Sequence, residues 1–141
     1  MTQENKELLL KDLCARLPYG VKFTCNKNIY IAKGIDLLVT DEGNWEYAVT
    51  AKDIVPIEID FIKPYLFPMS SITEEQKKYI SNKWGINEEF DFEIDPNWGE
   101  YFVELGYTVE FIDWLNKNHF DYRGLIDKSL ALDATGLNIY N

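Results

Sequence analysis

The chain of 141 residues holds a single histidine, His119, and only two cysteines, Cys14 and Cys25. Zinc would need both thiols together with that imidazole, and the cysteines lack the paired spacing of a zinc ligand set. No metal site is assigned. Two cysteines in a chain of this size build no disulfide framework, which suits a reduced, cytoplasmic setting. No apolar run approaches the ~18 residues that a membrane span needs. The opening Met1-Thr2-Gln3-Glu4-Asn5-Lys6-Glu7 lacks the basic and apolar regions of a secretory signal. Basic residues are few, with 14 Lys and Arg against 24 Asp and Glu and a formal net charge of -10. Such a surface repels phosphates, which disfavours direct nucleic-acid binding. Phosphate-cradling loops are missing too, since Gly34, Gly43 and Gly99 stand alone. There is no G-x-S-x-G elbow. No cofactor and no catalytic residue is assigned.

Apolar and aromatic residues, by contrast, are plentiful, at 46% and 15% of the chain. That is enough for a core without staples, and no linker or repeat divides the sequence, so residues 1–141 read as one domain. Leu9, Leu10, Leu13, Cys14 and Leu17 recur at three- and four-residue spacing, predicting a helix from Gln3 to Leu17 capped by Thr2. Cys14 falls on its apolar stripe and is expected to be buried and inert. Strands are expected at Val21–Cys25, Ile29–Ala32, Ile35–Thr40, Trp45–Thr50 and Val55–Phe61, with Asp41-Glu42-Gly43-Asn44 as a hairpin turn. Thr73 and Gln76 have capping-box spacing, with Glu74 and Glu75 in the first turn and Gly85 as the stop, so a helix spans Glu74 to Trp84. Further helices are expected from Thr108 to about Asn118 and from Tyr122 to Leu130, with Asp121 as the cap of the second. The tail from Ala134 onward is small and polar, and is expected to be loosely held. The fold class is α+β: an N-terminal helix, a small antiparallel curled sheet or barrel-like meander, and C-terminal helices.

Three stretches carry candidate function. Lys63 to Pro68 reads as a rigid extended connector, because Pro64 and Pro68 lack the N–H a ladder needs. Its Tyr65 and Phe67, with Trp98 and Tyr101 further on, are candidate aromatic anchors for a protein partner; burial beneath the following helix is the competing reading for the connector. Phe90 to Asp95 alternates apolar and acidic residues. Asp91, Glu93 and Asp95 would be spread roughly 6–7 Å apart along a strand, too far to converge on a cation, and are read as a solvated face. Asn118 to Arg123 is the densest polar mixture. An enzyme would use His119 as a general base oriented by Asp121, whereas a helix junction would place His119 at a helix end and pair Arg123 with a carboxylate.

The segments Leu10-Lys11-Asp12-Leu13-Cys14-Ala15-Arg16-Leu17-Pro18-Tyr19-Gly20-Val21, Ile62-Lys63-Pro64-Tyr65-Leu66 with Pro68-Met69-Ser70-Ser71-Ile72-Thr73-Glu74-Glu75, and Asp113-Trp114-Leu115-Asn116 with His119-Phe120-Asp121-Tyr122-Arg123-Gly124-Leu125-Ile126 carry a resemblance. Together they resemble small uncharacterised proteins of gut Bacteroidetes, often found near phage or mobile elements. The resemblance implies an intracellular accessory protein and transfers no activity or site residue. The leading expectation is thus non-enzymatic binding to a protein partner. The alternatives are an acidic decoy that imitates a phosphate backbone and a small enzyme built on His119, Asp121 and Arg123.

Overall fold

The computed structural model describes residues 1–85 and 108–140. Helix α1 covers Gln3–Arg16, and the Thr2 hydroxyl accepts the Asn5 N–H at its start. Strands β1 (Lys22–Cys25) and β2 (Asn28–Ile31) form an antiparallel hairpin. The chain then changes sheet within two residues. The Ala32 N–H bonds the Val21 carbonyl of the first sheet, and the Lys33 N–H bonds the Thr50 carbonyl of the second. That second sheet contains β3 (Gly34–Val39), β4 (Trp45–Thr50) and β5 (Ile57–Glu58), antiparallel and in that order. The architecture is α+β, as expected, with the strands divided between two open sheets.

The expected strand over Val55–Phe61 stops after two residues and becomes a 3-10 turn, Ile59–Phe61. Residues three apart eclipse in such a turn. Ile59 and Ile62 are therefore buried together while Phe61 turns outward, 66% exposed.

The Lys63–Pro68 stretch is not a free connector. It is strand β6, the hub of the first sheet, whose order is β2-β1-β6-β7 with β8 also on β6. Lys63 and Pro64 pair with β1, Tyr65 and Leu66 run parallel to β8 (Leu132–Asp133), and Phe67 and Pro68 run parallel to β7 (Phe120–Asp121). Its two prolines are tolerated because other groups carry the bonds. The Phe67 N–H meets the His119 carbonyl at 2.8 Å, and the Leu66 carbonyl accepts the Ala134 N–H at 2.8 Å.

Helix α2 spans Glu74–Trp84 with a full capping box: the Thr73 hydroxyl takes the Gln76 N–H, and the Gln76 side chain takes the Thr73 N–H. Gly85, at φ +69°, ends it. Thr73→Ala is expected to lower stability by about 1 kcal/mol in a urea titration, the usual value of such a cap. Helix α3 is Thr108–Lys117.

No helix forms over Tyr122–Leu130; the backbone there makes consecutive turns. Asp121 accepts N–H bonds from Leu125 and Ile126, four and five residues on, a wider reach than a helix cap makes. Gly124, at φ +75°, also departs from helical geometry. The tail is fastened rather than loose, because the Tyr140 hydroxyl takes the Lys22 N–H and donates to the Tyr65 carbonyl.

Two apolar clusters fill the interior. The larger joins Leu9 and Leu13 of α1 to Phe23, Val49, Ile62 and Leu66, and the smaller joins Met69 and Ile80 to Phe111, Leu115 and Phe120. Cys14 is exposed, contrary to expectation. The inward face of α1 is instead Leu9, Asp12, Leu13 and Arg16, so two charged residues occupy the core side of the helix.

Candidate functional site

Within the polar stretch 118–123, residues 119–122 are buried, while Asn118 and Arg123 are half-buried. His119 ends α3 at φ +62°, with its N–H bonded to the Asn116 carbonyl. Its ring stacks on Tyr140 with centroids 3.7 Å apart and planes 16° from parallel. Burial, reinforced by the charges of Arg16 and Lys22, pushes its pKa down to about 4. A neutral imidazole of that basicity is poorly matched to proton transfer near pH 7. Asp121 gives its two oxygens to the Leu125 and Ile126 amides at 2.8 Å each, and burial raises its pKa against those two bonds. Arg123 donates to Asp12 at 2.9 Å.

Asp12 is the centre of this network. It also accepts two bonds from Arg16, at 2.9 and 3.1 Å, and both residues are fully buried. Arg16 in turn donates to the Phe120 carbonyl and lies over the Tyr122 ring. Burial opposes its charge, but the Asp12 carboxylate outweighs this and holds the guanidinium pKa above its ordinary value. The network ties α1 to β7 and the turns that follow. It is a structural junction, and sequence spacing overlooked Asp12 and Arg16 because charged residues on a helix normally face water. An Asp and an Arg four apart, both flanking Leu13, were the available signal.

The buried His119 makes stability acid-sensitive. Between about pH 6.5 and pH 4 the unfolded chain binds a proton that the folded ring refuses, so stability is complete above pH 6.5 and is lost as pH falls toward 4. The expected loss is on the order of 2 kcal/mol. In urea titrations at pH 7 and pH 4.2, the gap between wild type and His119→Asn should shrink by that amount at the lower pH. An unchanged gap would refute the assignment.

Of the candidate anchors, Tyr65 and Phe67 are half-buried on β6, while Trp98 and Tyr101 lie outside the described residues. Phe67 packs against Phe120 and Tyr140. Tyr65 borders an open groove of about 550 Å³ with Lys27, Asp60, Lys63 and Leu132. A neighbouring groove of about 480 Å³ is lined by Tyr30, Leu38, Val55, Ile57 and Phe61. His119 borders neither groove. Among the described residues, no group of three or more His, Cys, Asp or Glu is placed to hold a metal ion, and no helix is long and apolar enough to cross a membrane.

Exposed apolar surface concentrates elsewhere, on the β3–β4 hairpin. Directly opposed residues of an antiparallel pair share a face. Ile35 opposes Val49, Leu37 opposes Tyr47, and Val39 opposes Trp45. The first pair packs into the larger core cluster. The same face then continues into solvent, with Tyr47 42%, Leu37 51%, Val39 57% and Trp45 71% exposed. At the tip, the Thr40 N–H meets the Asn44 carbonyl at 2.7 Å, and Gly43, at φ +84°, closes the turn. From Gly34 to Ala51 the chain carries Asp36, Asp41, Glu42 and Glu46 and no Lys, Arg or His. Alternation in the sequence reveals this strip but not that it outruns the core.

Compared with known proteins, the chain matches no family model, no curated protein and no solved structure.

Proposed function

We propose that this protein is a non-enzymatic, intracellular accessory protein that acts by binding another protein. The observation that carries this reading is the strip Leu37, Val39, Trp45 and Tyr47, four large apolar side chains in register on one exposed face. Scattered exposed apolar residues are ordinary, but a contiguous row with two aromatics has the composition of an interface core.

The enzyme alternative finds no support in the placement of His119, Asp121 and Arg123, which hold structure together. The decoy alternative requires carboxylates in rows. Among the described residues, Asp12 and Asp121 are buried, Glu46 and Asp60 grip Lys6 at 2.6 and 3.3 Å, and Glu74 pairs with Lys77. Much of the excess charge belongs to residues 86–107, which hold Glu88, Glu89, Asp91, Glu93, Asp95, Glu100 and Glu104 and no basic residue.

Affinity capture from native cells tests the reading, comparing wild type with Leu37→Ser/Trp45→Ser. Both side chains are exposed, so the double variant should stay folded, while the specific partner should be retained at least tenfold less. Equal recovery of every captured protein by the variant would overturn the proposal.

A further inference from the structure

The hairpin has an open edge as well as an apolar face. Among the described residues β3 pairs with β4 alone. The Thr40 N–H bond to the Asn44 carbonyl fixes which residues bond across the hairpin. Because bonded and non-bonded pairs alternate in an antiparallel ladder, Gly34, Asp36 and Leu38 point their backbone groups toward β4. Ile35, Leu37 and Val39 therefore point theirs away. Leu37 bears this out, for its N–H is taken by the Asp36 carboxylate at 2.8 Å instead of by a neighbouring strand. Exposed edges in native proteins are usually blunted by lysine, proline or a bulge. The six residues of β3, Gly-Ile-Asp-Leu-Leu-Val, contain neither lysine nor proline and pair with β4 in unbroken register. The only local guard is Asp36, and its carboxylate is displaceable by an incoming carbonyl.

We infer that β3 accepts an added strand from a partner polypeptide, an extended segment alternating large apolar side chains with Lys or Arg. This rests on the protein-binding reading above and names the chemistry of the partner. The backbone groups of Ile35, Leu37 and Val39 supply the new ladder, as in other strand additions. Apolar side chains on one face of the added strand extend the row formed by Leu37, Val39, Trp45 and Tyr47. The charge requirement follows from Asp36, Asp41 and Glu42, which are exposed along the hairpin with no cation on it to balance them. Opposite charge steers encounter and excludes acidic competitors, among them a second copy of this chain at -10.

The probe is a capped eight-residue peptide alternating Ile or Val with Lys, titrated into the full chain while backbone amides are followed by NMR and hydrogen exchange. Two control peptides are used, one of the same charge with two prolines and one with Glu in place of Lys. The alternating basic peptide should bind at least tenfold more tightly than either control and should slow exchange at Leu37 and Val39. Leu37→Pro removes the outward N–H while leaving the β3–β4 ladder bonds, and should weaken binding at least tenfold. Asp36→Lys/Glu42→Lys tests the charge requirement separately at two exposed positions and should weaken it to a similar degree. Equal binding of the proline peptide would mean charge attraction alone and would overturn the inference, as would unchanged exchange at Leu37 and Val39. Protection of those amides without peptide, accompanied by a doubled mass in sedimentation, would assign the edge to a second copy and reject the basic partner. If the peptide fails but Leu37→Ser/Trp45→Ser still loses its captured protein, strand addition falls and the binding surface stands. If both fail, both fall.

Discussion

Asp12→Ala should cost about 3–5 kcal/mol of folding stability, the range for breaking a buried ion pair from one side. The carboxylate is fully buried and takes three donor contacts from two guanidiniums, two from Arg16 and one from Arg123. Without it, Arg16 retains a backbone carbonyl and an aromatic face but no opposite charge in contact. The loss would consume much of the roughly 5–15 kcal/mol that holds an ordinary domain folded. Desolvated pairs are replaceable by apolar residues more readily than they are divisible. Asp12→Leu/Arg16→Met should therefore recover at least half of what Asp12→Ala loses. Urea titration of the three proteins at pH 7 reads both effects. A loss under ~1 kcal/mol for Asp12→Ala would mean that the network contributes little.

Leu66→Ala should cost a further large amount, about 3 kcal/mol and within the 2–5 kcal/mol span of such truncations. Leu66 is fully buried in the larger cluster and sits on the strand that β1, β7 and β8 all contact. A void there is lined by several elements, which resists collapse. Leu37→Ala is the matched comparison, since the same chemical change at a half-exposed site on β3 should stay within about 0.5 kcal/mol. Together the two leucines separate what the core uses from what the surface displays. Comparable losses at both positions would mean that the hairpin face is part of the stability core.

Local rules read most of the elements. Thr2, Thr73 with Gln76, and Gly85 mark the ends of α1 and α2 where the structure has them, because caps are interactions of near neighbours. The hairpins were legible for the same reason. What escaped depends on distant residues. Strand β6 looked like a connector because Pro64 and Pro68 argue against a ladder, yet its partners β7 and β8 are two-residue strands with no period to detect. The tail looked loose because nothing local shows that Tyr140 reaches Lys22 and Tyr65. The inward face of α1 was misread by part of a turn, since apolar periodicity gave weight to Cys14 and none to Asp12 or Arg16. The strands of the hairpin were legible, but the exposure of their apolar strip was not, because a sequence does not state how far the interior extends along a strand.

Hydrogen exchange on the full chain, alone and in complex with its captured partner, tests the central claim most directly. Amides of residues 34–50 should gain the greatest protection, with Leu37 and Val39 changing most. Protection confined to the grooves around Tyr65 and Phe61, with the hairpin unchanged, would contradict the claim that this protein binds through β3 and β4.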